Sequence, residues 1–291
     1  MSKVWLITGS SRGLGRALAE AVLASGDNLV ATARDPAQLA DLSGRYGGQV
    51  LALALDVTDE VAAAAVVDAA VRRFGRIDVL VNNAGYGNVG SIEDTSLADF
   101  RAQIETNLFG TIIMTKAVIA LMRGQGAGHI IQFSSVGGRI GPAGRGAYSA
   151  AKFGVEGFSE VLSKEVAPFG IKVTVIEPGG FRTDFAGAST VLAGGRAEYA
   201  ETVGATVRFQ REYDGHQPGD PAKAAAVVVH IAGLDEPPFR LLLGSDAVGN
   251  VEKADAARIK ADREWRAVSV STDFEPGETR GALMPWEKKA G

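Results

Sequence analysis

Residues 4–15 read VWLITGSSRGLG. Four apolar residues run into a turn with glycines at 9, 13 and 15, and helical spacing follows from Gly15 to Gly26 in GRALAEAVLASG. A buried strand, a glycine turn and a helix in that order begin a strand–helix–strand unit. Glycines at such a turn let backbone N–H groups approach a pyrophosphate at the helix N-terminus. The spacing is Gly-x-x-x-Gly-x-Gly, a weak signal alone, which its place between the first strand and the first helix strengthens.

The same alternation repeats along the chain. NLVATA (28–33), QVLALAL (49–55), DVLVN (78–82), HIIQFSS (129–135) and KVTVIEP (172–178) are short, nearly continuous apolar runs. That pattern predicts parallel strands covered on both faces. Between them, residues 59–75, 99–123 and 147–170 have helical spacing. The prediction is an α/β fold with a doubly wound parallel sheet, the Rossmann type. Past residue 186 the alternation stops. A Gly-rich stretch, a mixed helical segment with Tyr199 and Tyr213, and a turn at HQPGDP (216–221) lead to a helix from Pro221. A strand FRLLLG (239–244) and a charged helix over 251–266 close the ordered part. No linker-like stretch interrupts the chain. We expect one domain over 1–270, its cofactor half about 1–130 and its catalytic and substrate part about 131–270, with a C-terminal extension ending in an irregular tail, 271–291.

Composition narrows the function classes. With 46% hydrophobic and 22% charged residues the chain is of globular type. A net charge of −4 with no Lys/Arg run argues against a nucleic-acid partner. The absence of cysteine excludes disulfides, thiolate nucleophiles and Cys-ligated zinc. It fits a reducing cytosol, and with no secretory pattern at the start a cytoplasmic protein is expected. The apolar run AAAVVVHIAGL (224–234) is too short to span a bilayer and carries His230, so no membrane partner is expected. His129, His216 and His230 have no ligand spacing, so no metal is expected. Trp5 reads as core, and the charges of 252–266 as a solvated helix face.

The second strand ends in ATARD (31–35). In dinucleotide folds an acid about 20 residues past the glycines takes the ribose 2′-hydroxyl, whereas Arg accommodates a 2′-phosphate. Ala33 stands where the acid is expected and Arg34 follows, with Arg12 in the glycine loop as a second cation. This favours NADP over NAD; the competing reading gives a 2′-hydroxyl to Asp35.

In order along roughly the first 185 residues, the chain resembles the short-chain dehydrogenase/reductase family. TGSSRGLG (8–15) resembles its cofactor loop, through Gly9, Ser11, Arg12, Gly13, Leu14 and Gly15. Asp56 and Val57 resemble the pair that holds the adenine, and NNAG, with Asn83, Ala84 and Gly85, the motif closing the fourth strand. Asn107 resembles the structural and proton-relay asparagine. FSS followed by YSAAK resembles the catalytic serine with Tyr148 and Lys152, and PGGFRT, with Pro178, Gly179 and Thr183, the loop beside the nicotinamide. Ser135 lies thirteen residues before Tyr148, the spacing the resemblance implies. Adjacent strand residues face opposite ways, so Ser135 is chosen over Ser134.

Tyr148 and Lys152, at i and i+4, share a helical face. A nearby cation favours phenolate, which lets the tyrosine exchange a proton with a carbonyl or alcohol oxygen. Ser135 would hydrogen-bond that oxygen as charge develops. The resemblance further implies that Lys152 binds the nicotinamide ribose and that Asn107 supports a relay water. The expected activity is NADP-dependent hydride transfer between nicotinamide and a small-molecule carbonyl or alcohol. Val136, Ile140, Phe181, Phe185, Val191 and Leu192 predict an apolar pocket, hence a hydrophobic substrate. A catalytically silent dinucleotide-binding scaffold and a redox-neutral isomerase are the alternatives. Relatives imply a homodimer or homotetramer.

Overall fold

The computed structural model describes residues 2–187, 189–192 and 195–274. Seven parallel strands form the main sheet: β1 (Val4–Ile7), β2 (Asn28–Ala33), β3 (Val50–Ala54), β4 (Val79–Asn82), β6 (Gly128–Phe133), β7 (Ile171–Pro178) and β9 (Arg240–Leu243). Their order is β3-β2-β1-β4-β6-β7-β9, with β1 and β4 side by side. Between β1 and β4 the strand order reverses, which is where ligands bind in such sheets. A second small sheet pairs β5 (Gly87–Val89) with β8 (Thr190–Leu192) in parallel.

The helices are α1 (Gly13–Ala24), α2 (Ala40–Tyr46), α3 (Glu60–Phe74), α4 (Leu97–Ile104), α5 (Gly110–Gln125), α6 (Gly146–Val166), α7 (Val203–Tyr213), α8 (Pro221–Ile231) and α9 (Ser245–Val270). Several begin where a side chain satisfies free backbone N–H groups. Asp59 caps α3, Ser96 caps α4 and Asp220 caps α8, with Pro221 at its first position.

Strand alternation sorts the continuous apolar runs into two cores. Trp5, Ile7, Leu29, Ala31, Val79, Val81 and Ile131 join Leu18 and Val22 of α1 and Val228 and Ile231 of α8. Val4, Leu6, Val30, Leu80 and Ile130 face the opposite layer, with Val66 of α3, Met114 and Met122 of α5 and Leu162 of α6. An apolar run with no polar alternation is thus what a strand buried on both faces requires. Trp5 is core as expected, its indole N–H donating to Asp27 at 2.9 Å. His129 is buried against the Thr174 hydroxyl at 2.9 Å, and burial holds its pKa down at about 4. Among the described residues no cluster of His, Asp and Glu suits a metal ion.

Three details depart from the sequence reading. The helix expected over 99–123 is two helices, α4 and α5, joined by a π-helical segment, Glu105–Phe109. By length and apolar content, Leu97–Gln125 is long enough to cross a membrane. Here the apolar side of α5 lies in the core with α3 and α6. The β5 and β8 strands have no counterpart in the sequence reading. The charged helix is longer than read, starting at Ser245. Residues Met1–Val251 form one unit and Glu252–Gly291 another. Most of the expected irregular tail lies outside the described residues.

Candidate active site

The chemistry-bearing residues gather beyond the carboxyl ends of β1, β4, β6 and β7. After β1 the chain turns through Gly9 (φ 67°) and Gly13 (φ 59°), left-handed conformations that disfavour a side chain. Gly15 opens α1 so closely under the loop that a Cβ would collide with the Asn83 amide and the Gly9 carbonyl. The first N–H groups of a helix have no partner within it. At α1 no side chain supplies one, since Arg12 at the N-cap makes no capping bond and no acid occupies the first turn. That leaves Gly13, Leu14 and Gly15 offering N–H groups and positive dipole to an anion, with exposed Arg12 and half-buried Ser11 alongside.

Thr8 ties this loop to NNAG. Its hydroxyl accepts the N–H groups of Asn83 and Ala84, both at 3.0 Å, and the Asn83 amide donates to the carbonyls of Thr8 (2.9 Å) and Gly9 (3.2 Å). Asn107 anchors the far end. Its amide donates to the Tyr86 carbonyl at 2.8 Å and accepts the Tyr86 N–H at 3.1 Å. Its Oδ1 would lie 3.0 Å from a Cβ on Gly85. Asn107 lies in the π-helical segment, and such segments recur at functional positions.

Arg34 is exposed at the end of β2. The neighbouring Asp35 carboxylate is engaged in capping, accepting the Ala37 N–H at 3.0 Å. Asp56 accepts the Thr58 N–H (3.0 Å) and hydroxyl (2.8 Å), which hold its pKa below the ordinary range, and Arg34 adds to the effect. Val57 is buried beneath Gly110, where a Cβ would meet its side chain at 2.5 Å.

Ser135, Tyr148 and Lys152 come together between β6 and α6. The Ser135 hydroxyl accepts the Gly137 N–H at 3.0 Å and stands with the Tyr148 ring against Gly137, where a Cβ would meet both. Ser134 turns instead toward Glu156. Tyr148 is 8% exposed, and burial pushes its pKa up, opposed by the nearby Ser135 hydroxyl and by the charge of Arg145. Lys152 is buried and donates to the Phe133 carbonyl at 2.7 Å, and its Nζ lies 5.9 Å from the Tyr148 ring centre. Desolvation brings the ammonium pKa down to about 8.

Pro178 ends β7, and Gly179 and Gly180 are held against α9. Gly179 N–H donates to the Leu243 carbonyl and Gly180 N–H to the Asp246 carboxylate, both at 2.8 Å. A Cβ on Gly179 would collide with Asp246. Thr183 meets the glycine loop, its Cβ 3.6 Å from where a Gly13 Cβ would stand.

Of the expected pocket residues, Phe185 tilts against the Tyr148 ring at 5.7 Å, and Val136 and Ile140 are half-buried in the turn after Ser135. Leu192 is half-buried in β8, while Val191 on the same strand is 63% exposed. Phe181 belongs instead to the core shared with α8, because its bridge to Gly219 turns the ring inward.

The sequence reading missed Thr8, Arg145, Glu156 and Asp246. Glu156, one turn past Lys152, is 5% exposed, and burial followed by the charge of Glu177 pushes its carboxyl pKa up. Glu177 is fully buried and paired with Arg139 at 3.1 Å, while Arg240 reaches Glu156 at 3.6 Å. The available signal was its spacing: a carboxylate at i+4 shares the helical face of Lys152.

The chain is similar in sequence and fold to known proteins. A family model described as short chain dehydrogenase matches residues 3–191. Oxidoreductase BOA17 of Botryotinia fuckeliana is 48% identical over 273 residues, covering 94% of this chain and all of that one. A crystal structure of a short-chain dehydrogenase from Streptomyces avermitilis superposes with TM-score 0.89 at 43% identity, covering 94% of this chain and 100% of that one. An alcohol dehydrogenase from Thermococcus sibiricus, solved with 5-hydroxy-NADP, superposes with TM-score 0.70 at 26% identity, over 84% and 96% of the two chains. The family model spans both the glycine loop and the Tyr148–Lys152 helix, and the chain belongs to the short-chain dehydrogenase family.

Proposed function

We propose that this chain is an NADP(H)-dependent oxidoreductase that interconverts a carbonyl and an alcohol on a small, largely apolar substrate, with Tyr148 as general acid and base. The observation that carries the reading is the Ser135–Tyr148–Lys152 cluster beside a glycine loop at an uncapped helix N-terminus. The residues fit a dinucleotide: the loop turns on left-handed Gly9 and Gly13, and the uncapped first N–H groups of α1 suit a pyrophosphate. When bound, the nicotinamide supplies or accepts the hydride.

The remaining work falls to the protein. In reduction Tyr148 donates its proton to the carbonyl oxygen, and in oxidation the phenolate removes the proton of the alcohol. Ser135 hydrogen-bonds that oxygen as charge builds on it. Lys152, protonated below about pH 8, keeps a positive charge beside the phenol. Asn107 fixes the backbone at Tyr86 and so holds the floor of the site.

The choice of NADP over NAD rests on Arg34, which is exposed, while Asp35 is spent on capping the turn that follows. A planar guanidinium suits a 2′-phosphate, and an NADP-type ligand accompanies the Thermococcus sibiricus relative. The test is consumption of NADPH and of NADH with a panel of hydrophobic ketones and aldehydes, repeated with Tyr148→Phe. We expect faster turnover with NADPH, and loss of at least 100-fold in the variant with NADPH binding retained. Full activity in Tyr148→Phe, or no net consumption with any carbonyl, sinks the assignment.

A further inference from the structure

Arg145 stands three residues before Tyr148, at the N-cap of α6. Its guanidinium carbon lies 5.7 Å from the centre of the Tyr148 ring. The lysine of the same helix is at 5.9 Å, so two cations flank one phenol at nearly equal range. The guanidinium is fixed by neutral groups only. One nitrogen donates to the Gln210 amide oxygen at 2.6 Å and another reaches the Asn88 carbonyl at 3.5 Å. Gln210 is itself buried and pinned by its own bond to the Ala186 carbonyl at 3.0 Å.

Among the described residues no carboxylate pairs with Arg145; the charge it meets is that of Tyr148. Three other arginines near the sheet and its loops do meet acids. Arg139 pairs with Glu177, Arg196 with Asp94 and Arg240 with Glu160. Holding a largely desolvated cation among neutral dipoles is costly, and such charges normally meet an opposite charge. The phenolate form of Tyr148 is an opposite charge available at that place.

We infer that Arg145 is a positioning residue for the acid–base step, a second cation that stabilises the Tyr148 phenolate together with Lys152. The inference rests on the proposed role of Tyr148. It gives the site a division of labour. Lys152 loses its charge as pH rises past about 8, whereas a guanidinium keeps its charge throughout. Arg145 therefore sustains the field on Tyr148 in the alkaline range, where alcohol oxidation is favoured by proton release. The other groups packed around the phenol are the Ser135 hydroxyl, the Phe185 ring and Gly137, none of them charged. Glu156 acts from behind Lys152.

The experiment follows the pH dependence of kcat/KM for NADP-dependent oxidation of a neutral secondary alcohol in wild type, Arg145→Met and Arg145→Lys. In parallel, phenolate absorbance is titrated in each protein against the same background carrying Tyr148→Phe, which isolates this one tyrosine without requiring turnover. A unit charge at this range, at an effective dielectric constant of about 20, moves a titration by about 1–2 pH units. We expect Arg145→Met to raise the acidic limb and the phenolate midpoint by that amount, with Arg145→Lys restoring most of the shift. Should Met disturb folding, Arg145→Gln, which also removes the charge but keeps a polar side chain, and its absorbance titration still decide. An unmoved midpoint overturns the inference. So does a change confined to KM for carboxylate-bearing substrates, which would make Arg145 a receptor for a substrate anion. If no alcohol is oxidised at all, the proposed function fails, and the absorbance midpoint still tests Arg145 separately.

Discussion

Thr8 has no place in the chemistry, yet replacing it with valine should damage both fold and cofactor binding. Its hydroxyl is 1% exposed, donates to the Val81 carbonyl at 3.3 Å and accepts two backbone N–H groups at 3.0 Å. Valine keeps the shape and removes the oxygen, leaving Asn83 N–H and Ala84 N–H without an acceptor. An unsatisfied buried donor costs about 1–3 kcal/mol, so the pair costs about 2–5 kcal/mol, with the upper end reduced because Asn83 and Ala84 are only half-buried. At about 2–4 °C per kcal/mol for a chain of this size, Tm should fall by roughly 4–20 °C, with a matching drop in the urea midpoint. Because Asn83 also carries the carbonyls of Thr8 and Gly9, the glycine loop should loosen and NADPH affinity should fall by about tenfold, about 1.4 kcal/mol. Thr8→Ser, which keeps the oxygen, serves as control and should recover most of both losses. Equal urea midpoints and equal NADPH affinity for wild type and Thr8→Val would refute the reasoning, since the two N–H groups would then have found another acceptor.

Ser135→Ala removes the hydroxyl beside Tyr148 and should lower kcat by about 100-fold, whereas Ser134→Ala, facing Glu156, should stay within about twofold; equal losses in steady-state assays would reverse the choice between the two serines. Glu156 carries a folded-state pKa of about 7, above the ordinary 4.5, because burial favours the neutral acid. Its stabilising share is therefore complete below about pH 4.5 and lost as pH rises through about 7. Urea midpoints across pH 5–8 should fall in wild type and fall less in Glu156→Gln, and parallel curves would show that the carboxyl is already ionised at pH 5.

The main sheet was legible because parallel strands buried on both faces are largely apolar, and six of its strands stand out as nearly continuous apolar runs. The seventh, Arg240–Leu243, was readable through its Leu triplet. What escaped had no local signature. The π-helical segment at Glu105–Phe109 adds a residue to a helical turn without changing the composition that marks a helix. The β5–β8 pair uses three residues a side, one of them Gly87, where a side chain would meet Thr190, Arg145 and Phe185. Thr8 and Asp246 act through backbone partners 75 and 66 positions away, and no periodicity within a segment carries such information. Phe181 was misread for the same reason. An aromatic residue near a site is drawn to the pocket or to the core by its neighbours, and here Gly219 at the end of a distant turn decided it.

The electrostatics of the site run against the charge of the whole chain. A net charge of −4 bears on solubility and weak association. It gives no hint that the strand ends present Arg12, Arg34, Arg145 and Lys152, together with the open N-terminus of α1. The carboxylates nearest this chemistry are withdrawn: Glu177 is paired to Arg139, Glu156 is buried behind Lys152, and Asp246 holds the Gly180 backbone. Local placement of charge thus does what composition conceals, offering cations where phosphates and a phenolate would stand. Three of the four cations are arginines, which do not titrate in any working range, and one is a lysine poised near pH 8. The pH response of such a site therefore belongs to Tyr148, Lys152 and the buried Glu156 behind it.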